Sequence, residues 1–182
     1  MYWFEKAYVA ILVPIQYTWY LLSLQYDINR ILVEVLWSDV VIKKPHKFHI
    51  TIDYLSKKSD AKKQEFIEHF HTITHKHQNS KTYFDQLSYW KSFLVEDGHI
   101  ISLTSTDQLL QDIYASLKIH TWKSKKAQEL PFHPHITLLN FHVSEKILWL
   151  QDMFIYHIKP LLKQPFQMTI QEYILHDTRS SK

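Results

Sequence analysis

The sequence predicts an α+β fold in which antiparallel sheets carry helices on one side. Three observations lead there. Short runs rich in β-favouring residues alternate with helical runs, but not in the strict β-α order of a doubly wound parallel sheet. An Asp97-Gly98 pair lies between alternating apolar segments, which is the strongest hairpin signal in the chain. The tetrapeptide His-Ile-Thr-(Ile/Leu) occurs twice, at His49–Ile52 and His135–Leu138, each time inside a run of strand character.

The elements follow in order. Lys6 to Val13 (KAYVAILV) is a core strand stopped by Pro14. Tyr17 to about Val35 has apolar residues at helical spacing, with Asp27 and Arg30 on an exposed face. Val40 to Leu55 reads as a β-hairpin bent at the polar run Lys43-Lys44-Pro45-His46-Lys47. On its second strand, Phe48, Ile50, Ile52 and Tyr54 share one face, and His49, Thr51 and Asp53 share the other. Asp60 to His77 is a surface helix with Phe66, Phe70 and Ile73 turned inward, capped by Ser59 or Asp60. Tyr83 to Thr104 holds two or three antiparallel strands. Asp107 to about Trp122 repeats Leu109, Leu110, Ile113 and Leu117 at helical spacing. Pro131 to Val143 is a strand with His135 and Thr137 on one face and Ile136 and Leu138 on the other. A helix over Glu145 to Leu162 and a final alternating strand over Phe166 to His176 complete the order. No linker divides the chain, so residues 1–182 are expected to form one domain.

Composition narrows the function. Apolar residues make up 46% of the 182 and aromatics 15%, enough for a sizeable core and too many for a disordered chain. The net charge of +3 permits an anionic ligand without demanding one. There is no cysteine, which excludes disulfides, thiolate metal sites and a cysteine nucleophile. The one glycine, Gly98, excludes glycine-rich phosphate loops. The apolar stretch from Ala7 to Leu24 is interrupted by Pro14 and Gln16 and has no basic leader. It is expected to be a buried strand running into a helix rather than a membrane span or a signal peptide. With no targeting signal, the cytoplasm is the default location.

The duplicated tetrapeptide carries the chemistry. A His and a Thr two residues apart on a strand project the same way, about 6.5–7 Å apart. A phosphate fits between them, with the hydroxyl donating a hydrogen bond and the imidazole facing a bridging or attacking oxygen. One pair is a poor catalyst. Two facing pairs supply an acid on one side of phosphorus and a base on the other, as in-line transfer requires. A single His-x-Thr among 13 histidines is unremarkable; two copies sharing three of four letters, both in apolar strands, point to a paired site.

With these motifs the chain resembles the two-histidine (2H) phosphoesterase superfamily, which includes the RNA 2′,3′-cyclic phosphodiesterases also called 2′-5′ RNA ligases. The residues that carry the likeness are KAYVAILV, KFHITIDYL and PFHPHITLLNF, spread over about residues 6 to 175. The resemblance implies a bilobal fold with two pseudo-symmetric antiparallel sheets lining a central cleft and helices outside. It implies that His49 and His135 are acid and base, that Thr51 and Thr137 hold phosphate oxygens, and that no metal or cofactor takes part. Substrates implied are RNA 2′,3′-cyclic phosphate ends, hydrolysed to a 2′-phosphate, or 2′-5′ linkages. Where that pattern carries arginines this sequence has Asn140 and Lys6, which weakens the phosphate clamp or marks a different substrate. A signalling oligonucleotide, such as 2′-5′ oligoadenylate or a cyclic oligonucleotide degraded in immune antagonism, is the rival substrate. A non-catalytic RNA-binding module is the rival class.

Other residues are candidate substrate contacts. Tyr54, Phe132 and Trp90 are able to stack a base, though each also suits a core. His133 flanks the second motif at the cleft edge. His69, His71, His75 and His77 crowd one helix, where a solvated face is the expected reading. The expected partners are RNA ends or a small nucleotide, with no membrane, and the expected state is a monomer.

Overall fold

A computed structural model describes residues 7–36, 41–43, 47–55, 60–91, 98–118, 132–142 and 150–177. Nine strands and four helices occur among them. In chain order they are β1 (Ala7–Leu12), α1 (Ile15–Leu36), β2 (Val41–Lys43), β3 (His49–Leu55), α2 (Asp60–His77), β4 (Lys81–Phe84), β5 (Gln86–Lys91), β6 (Gly98–Thr104), α3 (Gln108–Lys118), β7 (His135–His142), α4 (Leu150–Met153), β8 (Phe166–Thr169) and β9 (Glu172–Asp177). A π-helical turn (Phe154–Ile158) and a 3-10 turn (Lys159–Leu161) extend α4.

The main sheet runs β5-β6-β7-β3-β1-β9, with β2 on β7 beside this path, and every pairing is antiparallel. Its two lobes, β9-β1-β3 and β7-β6-β5, meet through a single bridge, Ile50 to Ile136. The two isoleucines are the middle residues of the two tetrapeptides, so a pseudo-twofold axis passes between them. Further contacts obey the same symmetry. The backbone N–H just past β1, on Val13, donates to the Phe48 carbonyl at 3.1 Å, and that just past β6, on Ser105, donates to the Pro134 carbonyl at 3.1 Å. Phe48 and Pro134 each immediately precede a motif histidine.

Helices cover one side of this sheet. Ile50 and Ile136 are fully buried on that side, within a core that includes Val9, Ile11, Leu21, Ile28, Ile113 and Leu117. The packing is crossed: α1, which follows β1, lies on β7, while α3, which follows β6, lies on β3. Each lobe's motif strand is thus backed by the other lobe's helix. The small sheet β4-β8 lies against the start of α1, where Tyr20 stacks on Phe166 at 5.3 Å and Tyr17 meets Thr169.

Two turns are fixed by single side chains. Asn79 adopts a left-handed φ of 67° just past α2, a position where Asn is tolerated, and its N–H donates to Ile170 at 2.8 Å. Asp107 caps α3, accepting from the Leu109 N–H at 3.0 Å through one oxygen and from the buried Thr82 hydroxyl at 2.6 Å through the other.

Three sequence expectations need correction. β2 does not form a hairpin with β3; it pairs with β7, Val41 opposite His142 and Lys43 opposite Asn140. The final strand is two strands, β8 in the small sheet and β9 beside β1. Asp53 does not share the face of His49 and Thr51: a register shift opposite Val9 and Ala10 turns it inward, and it is buried. The expected Asp97 turn, the Ser59 cap and Lys6 lie outside the described residues. The apolar stretch from Ala7 divides into β1 and α1, and no described helix is long and apolar enough to cross a membrane.

Asp107→Ala removes both the cap and the Thr82 partner. Urea unfolding followed by circular dichroism is expected to show a loss of about 2 kcal/mol with an unchanged denaturant slope.

Candidate active site

The bridge between Ile50 and Ile136 dictates what lies on the opposite face of the sheet. Both isoleucines point to the core, so the residues flanking them point away from it. Antiparallel register then sets His49 beside Thr137 and Thr51 beside His135. All four side chains are half-buried. The pairs therefore converge on one open face, and the charge of His49 is felt at His135.

Each imidazole is held in the same way. His49 donates Nδ1–H to the Lys47 carbonyl at 3.3 Å, and His135 donates Nδ1–H to the His133 carbonyl at 2.8 Å. A carbonyl only accepts, so Nδ1 must carry the proton and Nε2 is left free on each ring. Aromatic rings flank both: Tyr8 stacks on His49 at 5.8 Å, and Trp90 presents an edge contact to His135 at 5.2 Å.

Burial pushes the His135 pKa below the ordinary imidazole value, outweighing the opposing bond to the His133 carbonyl, and the neighbouring His49 and His133 lower it further. His135 is therefore readily neutral near pH 7.

A bulge follows each motif at the same place. The β1–β3 register passes from Ala10–Thr51 to Val9–Asp53 and skips Ile52; the β6–β7 register passes from Ser102–Thr137 to Ile101–Leu139 and skips Leu138. Strict alternation would put the residue five past each histidine on the core side. The bulge brings it back, so Asn140 pairs with Ile100 on the face of Ser102 and Thr104, while position 54 pairs with Tyr8. The bulge at Leu138 has a dedicated partner: buried Gln25 of α1 donates its Nε2–H to the Leu138 carbonyl at 2.8 Å.

The linings of the two lobes are unequal. Leu12 and Ala10 lie opposite His49 and Thr51, whereas Thr104 and Ser102 lie opposite His135 and Thr137. Ser88 shares a 2.8 Å hydrogen bond with Thr104, and the buried Ser102 hydroxyl has no hydrogen-bond partner among the described residues. The polar lobe is the one that carries Asn140 and Trp90.

Of the other sequence candidates, Phe132 stacks on Tyr114 of α3 at 4.3 Å and packs against the core. His133 is exposed and contributes its carbonyl to His135. The helix histidines His71 and His75 are exposed on α2, and the described residues contain no group of three His, Asp or Glu placed to hold a metal ion. Sequence reasoning missed Tyr8 and Gln25. Gln25 had a signal, an amide inside the stripe Leu21, Leu24, Ile28, Leu32.

This architecture is the fold of the two-histidine phosphoesterases. Usb1 of Kluyveromyces marxianus superposes with a TM-score of 0.63 at 7% identity over 95% of this chain and 98% of that one. The structure of the same protein with uridine monophosphate gives a TM-score of 0.64 at 7% identity and the same coverage. LigT of E. coli in apo form gives 0.52 at 14% identity over 95% and 87% of the two chains, and the MHV ns2 PDE domain gives 0.55 at 12% over 95% and 98%. No protein-family model matches the chain, and no curated protein matches it by sequence.

Gln25→Leu strands the Leu138 carbonyl and is expected to lower stability by about 1–3 kcal/mol. Gln25→Glu sets a carboxylate against that carbonyl, so it is expected to lose more at pH 8 than at pH 5, where the acid form donates. Denaturant titrations at the two pH values check both outcomes.

Proposed function

We propose that this chain is a metal-independent phosphodiesterase acting on RNA 2′,3′-cyclic phosphate ends or 2′-5′ linkages, with His49 and His135 as its acid–base pair. The observation that carries this reading is the Ile50–Ile136 bridge, which sets two His-x-Thr pairs on one open face with both Nε2 atoms free. Binding alone needs no such pair, so an idle RNA-binding module is the weaker reading.

In the proposed reaction His135, kept neutral by burial, is the general base. Its Nε2 takes a proton from water as the water oxygen attacks phosphorus. His49, protonated at Nε2, gives its proton to the departing 3′ oxygen. The products are a 2′-phosphate and a free 3′ hydroxyl. Thr51 and Thr137 donate hydroxyl hydrogen bonds to the equatorial oxygens, where charge builds. Asn140, on the same face, adds an uncharged donor. On a 2′-5′ linkage the adjacent 3′ hydroxyl replaces water, leaving a cyclic end and a free 5′ hydroxyl.

The test is turnover in EDTA of a 2′,3′-cyclic-ended RNA, 2′-5′ oligoadenylate and a cyclic dinucleotide. At least one is expected to be cleaved, and His49→Ala and His135→Ala are each expected to lose about 100-fold or more. Full activity in both variants, dependence on a metal, or binding without cleavage overturns the proposal.

The pH profile follows from the His135 shift. A base must be unprotonated, so kcat/KM should rise with pH through a value below the usual 6.5, and this acid limb should vanish in His135→Ala. Initial rates between pH 4.5 and 8, ~0.5 apart, resolve it.

A further inference from the structure

Helix α1 carries two apolar stripes, one turned to the sheet and one on an exposed flank roughly 110° around the helix from it. Its inner stripe, Leu21, Leu24, Gln25, Ile28, Leu32 and Leu36, is buried against the sheet. Its outer stripe is Ile15 (84% exposed), Trp19 (80%), Leu22 (37%), Tyr26 (65%) and Val33 (51%). With half-buried Asn29 in place, these positions step 4-3-4-3-4 along the helix. An ordinary solvent face has no such period. Apolar positions at this spacing, with the one polar residue Asn29 among them, match the seam pattern of a packed helix pair.

We infer that the outer face of α1 is a self-association surface that packs against α1 of a second copy of this chain. Area favours this occupant. The five apolar side chains present roughly 700 Å² and the helix is about 33 Å long, close to the ~800 Å² per partner of a standard interface. Shape favours it too: the stripe is a convex ridge, and a like ridge is what packs beside it. Charge argues against a lipid surface. The helix carries Arg30 against Asp27 and Glu34, and lacks the lysines and arginines that hold an amphipathic helix on anionic headgroups. The pairing lies on the helix layer, on the opposite side of the sheet from His49 and His135, so two copies leave both clefts open.

Sedimentation equilibrium of the full chain from micromolar to submillimolar concentration tests it. The wild type is expected to dimerise with a micromolar dissociation constant. Trp19→Glu and Tyr26→Glu, both at solvent-exposed positions, are each expected to weaken association by at least about 10-fold. Gln151→Glu, exposed on α4, is expected to leave it unchanged. A wild type that stays monomeric throughout overturns the inference. So does association that both seam substitutions leave intact, or a monomer that instead co-sediments with phosphatidylcholine–phosphatidylserine vesicles through Trp19.

Discussion

The structure hangs on one backbone bridge. Ile50 and Ile136 pair across the join between the lobes, and among the described residues theirs is the one ladder pair between β3 and β7. Because each isoleucine is the centre of a His-Ile-Thr run, pairing the two centres brings the runs together on the far face. A one-residue slip at this join would send one motif's histidine and threonine into the core. A bridge of a single pair is weak in isolation. It is held from behind, since α1 braces β7 and α3 braces β3. The packing of buried Ile50, Ile136, Leu138 and Ile113 fixes that register.

Symmetry of backbone and asymmetry of side chains divide the labour at the site. The two motifs share their bridge, the carbonyl that orients each ring and the bulge that follows. They differ in neighbours. His135 sits among Thr104, Ser102 and Trp90, while His49 faces Leu12, Ala10 and Tyr8. Two histidines in identical settings would titrate alike and neither would be biased toward acid or base. At His135, burial and the neighbouring His49 and His133 supply a bias toward the neutral ring without changing the residue type.

Much of this was legible from residue order. Period-two alternation alone set His49 with Thr51 and His135 with Thr137, and helical spacing located α1, α2 and α3 to within a few residues. Failures came where a distant partner decides the outcome. Val41 to Lys43 looked like half of a hairpin with the strand that follows, yet β2 pairs with β7, about 100 residues further along. Asp53 was assigned to the wrong face because a bulge belongs to a pair of strands and is not written in either one. Gln25 was readable as a polar break in an apolar stripe, but its acceptor, the carbonyl left over at Leu138, exists only after β6 and β7 have paired.

The placement of β9 bears on how the chain is made. β1 lies between β3 and β9, and β9 is the final strand of the described residues. As the polypeptide leaves the ribosome, β3 closes one side of β1 early. The other side keeps its amides and carbonyls open until Glu172–Asp177 has emerged. Until β9 emerges the nascent protein therefore carries an unsatisfied β-edge beside an apolar core, and it stays open to misassembly until that strand is in place.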